Sequence, residues 1–232
     1  MKIKAVVLTL GFVAAAFAMQ DAVTFARSYK EGDKDTFKLN VTASMSVGAA
    51  EVSMNMTQTV KKVYENGDAD VESQVADMKV SFNGQEMPTG GNEVPVTTQR
   101  VDKFGRSIGE AQGGNQMMNQ MSFMRYAGFM GDKPLKLGES VDVDTKDEKT
   151  GSRVFGTVKL DKLEAGVATV ISNLKVTTKE TGETKPMKMN FVTLLDSATA
   201  KINKVSGDIS ELPAGDQGMT VDSVKLVMER NK

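Results

Sequence analysis

The chain has 232 residues with no Cys, His or Trp, 25% charged and 40% hydrophobic residues, and a formal net charge of −1. Those absences exclude a thiolate nucleophile, an imidazole base, a Ser–His–Asp triad, a disulfide and a standard zinc site. The near-neutral balance speaks against nucleic acid or an anionic membrane surface as a partner.

Residues 1–18, MKIKAVVLTLGFVAAAFA, read as an export signal. Lys2 and Lys4 precede an apolar run from Ala5 to Ala16, and Ala16-Phe17-Ala18 places small residues for cleavage after Ala18. The run is shorter than the ~20 residues that span a bilayer. A signal peptide at 1–18 and a single β-rich domain at 19–232 are therefore expected, in a periplasmic or secreted protein that spans no membrane after cleavage.

The mature part opens with strong strand patterning. From Thr36 to Val47 the apolar residues Phe37, Leu39, Val41, Ala43, Met45 and Val47 alternate with polar ones, which makes one buried and one wet face. A second strand, Glu51 to Tyr64, aligns Val52, Met54, Met56, Val60 and Tyr64. Glu65-Asn66-Gly67-Asp68 supplies a hairpin turn. In the return strand, Ala69 to Asn83, the apolar parity changes after Val75, which predicts a β-bulge near Ala76 or Asp77. Gly84 to Asn92 reads as a loop, and a further hairpin turns at Asp102-Lys103-Phe104-Gly105.

The second half repeats this grammar. Thr157 to Leu160, the turn Glu164-Ala165-Gly166 and Val167 to Val170 echo Thr59 to Lys62, Asn66-Gly67 and Ala69 to Val71. The hairpin from Leu195-Asp196 to Lys201-Ile202 echoes the one at Val101-Asp102 to Ile108. The halves, about 19–112 and 133–232, flank the segment 115–130, NQMMNQMSFMRYAGFM, which holds five of the 16 methionines. Met117, Met121 and Met124 fall on one helical stripe, widened by Met118 and Phe129, with Phe123, Tyr126 and Met130 opposite. A helix that is apolar nearly all round is a buried helix.

About 11–12 strands with one polar face each must bury a single apolar face, and a strongly curved sheet does this. The predicted fold is mainly β: a curved or unclosed antiparallel barrel made of two similar meanders, with one central Met-rich helix.

Four stretches carry a resemblance: Tyr29-Lys30-Glu31-Gly32-Asp33, the strand from Phe37, Val101-Asp102-Lys103-Phe104-Gly105-Arg106, and Lys133-Pro134-Leu135-Lys136-Leu137-Gly138-Glu139-Ser140. Together they resemble an exported bacterial β-rich family of unknown function and, more distantly, the half-barrel carriers of the lipoprotein-localisation pathway. The resemblance implies an unclosed barrel with an internal helix and an apolar cavity. The chain departs from those carriers in having no Trp, 10 Phe and 3 Tyr where they are aromatic-rich.

The chemical candidates are few. Thioethers suit Cu(I), and Met118, Met121 and Met124, or the pairs Met54/Met56 and Met187/Met189, have suitable spacing, but no His or Cys supports them. Asp142, Asp144, Asp147 and Glu148 form an acidic cluster, but Asp147 stands where a Ca²⁺-binding EF-hand loop requires Gly. Gly113-Gly114-Asn115 lacks the GK[ST] ending of a phosphate-binding loop. No carboxylate pair stands out for glycoside hydrolysis.

The expected function is a non-enzymatic binding module, without cofactor or metal. It would hold an apolar ligand, a lipid or acyl group, between the curved sheet and the Met-rich helix, since Met adapts to varied shapes. The expected lining is Met117, Met118, Met121, Met124, Phe129, Phe37, Leu39, Met54 and Met56. The alternative is a structural or interaction protein of the cell envelope with a solid core and no small ligand. A volume of several hundred Å³ inside the sheet favours the first.

Overall fold

The structure is a computed structural model that describes residues 22–88, 96–113, 126–148, 150–178, 185–212 and 220–231. The expected signal peptide lies outside these residues. Within them the chain forms twelve strands: β1 (Lys34–Met45), β2 (Gly48–Val63), β3 (Ala69–Phe82), β4 (Gln85–Met87), β5 (Thr97–Val101), β6 (Ser107–Gly113), β7 (Ser140–Lys146), β8 (Arg153–Glu164), β9 (Val167–Thr177), β10 (Met187–Asp196), β11 (Ile202–Ser210) and β12 (Val221–Arg230). All belong to one sheet, ordered β6-β5-β3-β2-β1-β12-β11-β10-β9-β8-β7, with β4 attached to β3.

The first strand thus lies beside the last. Phe37 faces Arg230 and Val41 faces Leu226 in an antiparallel ladder. β6 and β7 end the sheet, and no ladder joins them among the described residues. One side-chain contact crosses this seam: the Gly109 N–H donates to Asp147 Oδ2 at 3.1 Å.

The period-2 pattern becomes burial. Phe37, Leu39 and Val41 are buried while Lys38 and Asn40 are exposed; Met187, Met189, Phe191, Thr193 and Leu195 are buried while Lys188, Asn190 and Val192 are exposed. The inner faces of β1 to β3 and of β7 to β12 feed one hydrophobic cluster. Strands with one apolar face can share a cluster only if the sheet curls around it.

The centre of that cluster is irregular chain, not helix. Tyr126, Phe129, Met130 and Leu135 are all buried in it. This corrects the end of the helix expected at 115–130. Among the described residues there is no helix; Tyr126 starts a single turn, closed by the Phe129 N–H on the Tyr126 carbonyl at 3.2 Å. Gly128 has φ +81, which breaks any right-handed helix there. Residues 115–125, with Met117, Met118, Met121 and Met124, lie outside the described residues. The turn is anchored by Ser172 Oγ, which donates to the Phe129 carbonyl at 3.2 Å, and by paired bonds between Val23 and Leu135 at 2.8 Å.

Two local readings are sharpened. The bulge lies at the expected place: Ser53 faces Lys79 but Asn55 faces Ala76, and Asp77 has φ 51. The stretch read as a loop from Gly84 contains β4, because Asn83 (φ 50) and Gly84 (φ 78) form a two-residue turn between the paired Phe82 and Gln85. Two consecutive positive φ values favour Asn-Gly, the strongest short hairpin signal.

The two meanders share turn chemistry. Gly32 N–H bonds to the Val60 carbonyl at 2.9 Å, and Gly138 N–H to that of Leu160 at 2.8 Å. The β2–β3 ladder shifts between Val60 and Lys62, the β8–β9 ladder between Leu160 and Lys162. The Asp102 N–H closes its turn on the Arg106 carbonyl, and the Asp196 N–H closes its own on that of Lys201, both at 2.9 Å. These bonds match Val60 with Leu160 and not with Val158.

The β8–β9 turn carries a correctable defect. Ala165 has φ 49 and Gly166 φ 79. A left-handed Ala costs roughly 1 kcal/mol that Asn largely avoids. Ala165→Asn is expected to raise stability by about 1 kcal/mol, read as a higher urea midpoint at unchanged slope.

Candidate functional site

The inner rows do not stay apolar along their whole length. On β1 the row Phe37, Leu39, Val41 begins with Asp35; on β12 the row Val224, Leu226, Met228 ends in Arg230. On β2, Gln58 stands between Met56 and Val60; on β3, Ser73 stands between Val71 and Val75. These polar residues share one end of the sheet, because the start of β1 pairs with the ends of β2 and β12.

At this end the described residues surround a cavity of about 710 Å³. Its apolar wall includes Phe37, Leu39, Met56, Val60, Leu226 and Met228. Its polar groups include Arg27, Asp33, Asp35, Gln58, Gln99, Glu110, Lys201 and Arg230. Residues Arg27 to Tyr29 contribute to the lining and are strapped to the β5–β6 turn. The Arg27 N–H donates to the Lys103 carbonyl at 2.7 Å, and Tyr29 Oη to the Asp102 carbonyl at 3.3 Å. Asp102 in turn holds that turn: it is buried and accepts from the Phe104 N–H at 2.9 Å, the Arg106 N–H at 2.8 Å and Arg106 Nε at 2.9 Å.

The charges are partly paired. Lys201 Nζ lies 3.4 Å from Asp33 Oδ2, and Arg230 Nη2 lies 3.3 Å from Asp35 Oδ1. The Arg230 guanidinium also sits 5.9 Å from the Phe37 ring centre. Arg27 has no carboxylate partner among the described residues. The Nε atoms of both Arg27 and Arg230 are buried without a hydrogen-bond partner. Two glycines flank Arg27: a Cβ at Gly105 would stand 3.4 Å from its Nη2 and one at Gly128 3.7 Å, both ordinary contact distances.

Of the expected lining residues, the structure brings Phe37, Leu39 and Met56 to the cavity. Met54 is buried in the core without lining it, since the bulge at Asp77 falls opposite Met54. Phe129 is buried and faces Ser172 through its carbonyl. The sequence reading missed Arg27, Asp35, Lys201 and Arg230. For Asp35 and Arg230 a signal exists: each is a charge in register with an apolar inner row. For Arg27 there is none, because the segment before β1 has no period.

The chain matches no family model and no curated protein.

The acidic cluster is spent on local pairing. Arg153 Nε and Nη2 donate to the two Asp144 oxygens at 2.8 and 2.6 Å. Asp147 receives Gly109 across the seam, and Glu148 lies 3.5 Å from Lys146 Nζ. Among the described residues no group of three or more His, Cys, Asp or Glu is placed to hold a metal ion, and no helix is long and apolar enough to cross a membrane.

Several acids titrate below their ordinary range. The Arg153 hydrogen bond depresses Asp144, the Lys159 hydrogen bond depresses Asp161, and the Thr199 hydroxyl and N–H depress Asp196. A depressed folded pKa contributes stability above the unfolded value, about 3.9 for Asp, and that contribution is lost as pH falls through the folded value. The urea midpoint is therefore expected to fall below about pH 4, and Asp196→Asn should flatten that fall.

Proposed function

We propose that the protein is an exported, non-enzymatic binding module that holds a lipid or acyl group inside its curved sheet. The observation that carries this reading is the cavity of about 710 Å³ against Phe37, Leu39, Met56, Leu226 and Met228. Its volume falls in the range of roughly 300–1,000 Å³ used by small-molecule sites.

Mass spectrometry of organic extracts from protein purified natively from its host tests the proposal. A stoichiometric lipid or acyl species is expected. An empty protein that also fails to take up any long-chain amphiphile would favour an envelope protein with no small ligand.

A further inference from the structure

We infer that the cavity selects single-chain amphiphiles with an acidic head, a carboxylate or phosphate, and that Arg27 and Arg230 receive that head. The inference rests on the lipid-binding reading and names the class of ligand within it. A pocket meant for a wholly apolar guest would keep guanidinium groups out, because a buried donor without a partner costs stability. Here two guanidinium groups line one cavity.

Asp33 is held by Lys201 and Asp35 by Arg230. Glu110 is exposed on the edge strand β6. Arg27 is left as the cation without a carboxylate among the described residues, while Arg230 is paired with Asp35. A guanidinium presents a fixed fork of donors that suits carboxylate and phosphate oxygens, with charge-assisted bonds stronger than neutral ones. The apolar row Phe37 and Leu39 runs inward from Asp35 on β1, and Met228 and Leu226 run inward from Arg230 on β12. That arrangement accepts a head at the charged end and a tail along the rows.

Calorimetric titration of the full mature chain at pH 8 with dodecanoate, dodecyl phosphate, dodecanol and inorganic phosphate tests this. The two acids are expected to bind about 10- to 100-fold more tightly than dodecanol, the size of a charged hydrogen bond. Arg27→Gln should erase most of that ratio, with an unchanged far-UV circular dichroism spectrum and urea midpoint to report that the variant is folded. Arg230→Gln should reduce the ratio as well. Equal binding of dodecanol and the acids by the wild type, or an unchanged ratio in Arg27→Gln, would overturn the head-group assignment while leaving lipid binding intact. Inorganic phosphate binding as tightly as dodecyl phosphate would overturn it in favour of a plain anion site. Failure of all four to bind would overturn the lipid-binding reading itself.

Discussion

Phe191→Ala is expected to lower the unfolding free energy by about 3–5 kcal/mol, the range for removing a buried aromatic ring. Phe191 is 1% exposed in the middle of β10, facing Ser172 on β9 and Gly207 on β11. Its ring lies over Gly207: a Cβ added there would come within 2.6 Å of Phe191 Cδ1. The ring supplies the apolar surface that the glycine lacks. Truncation opens a void between three strands that are held by ladder bonds and cannot collapse. Domains have roughly 5–15 kcal/mol of stability in total, so the loss is a large share of the whole. Urea unfolding followed by circular dichroism should show a lower midpoint with an unchanged slope. Phe191→Leu should lose much less, because it keeps most of the volume. Equal losses for the two variants would mean that the ring, and not the volume, is what the site requires.

The second large effect is expected at a position with no side chain. Gly156 lies in β8 between Val143 of β7 and Leu174 of β9. A Cβ there would collide with the Asn173 carbonyl oxygen and stand 3.0 Å from Leu174 Cα. The neighbour is backbone inside a ladder, so it cannot swing aside. Gly156 also has φ +146, where an L side chain is strained. Gly156→Ala combines both penalties and should cost ~3 kcal/mol or more. Gly166→Ala is the control. Its φ is +79, but nothing lies within 4 Å of the added carbon, so only the backbone term of about 1 kcal/mol applies. Similar losses at the two sites would show that steric contact with β9 contributes nothing.

Much of the scaffold was legible because it rests on period-2 alternation. Phe37, Leu39 and Val41 could be assigned to an inner face before any contact was known, and the parity change after Val75 located the bulge at Asp77. The Asn83-Gly84 pair carries a turn signal, but the strand after it, Gln85–Met87, is too short to show a period, so the sequence pattern there is that of a loop. The helix expected to reach Met130 failed at its end for a local reason. Spacing alone places Tyr126, Phe129 and Met130 on a helix, whereas Gly128 at φ +81 turns the chain and the Ser172 hydroxyl fixes the result.

The cavity follows a similar division. Phe37, Leu39 and Met56 were recognisable as candidate lining because they are apolar and in register. Arg27 was not, since its position depends on the bonds that strap the segment before β1 to the β5–β6 turn.

By itself the sequence determined that the chain is a one-faced β-protein with no Cys or His chemistry, since composition and alternation are local properties that no packing can reverse. Only the tertiary structure decided that β1 pairs with β12, that no ladder joins β6 and β7 among the described residues, and that two arginines line a partly apolar cavity at one end. Those facts join residues as far apart in the chain as Arg27 and Arg230. Their meeting in one lining depends on which strands become neighbours, and alternation within a single strand carries no record of its neighbour.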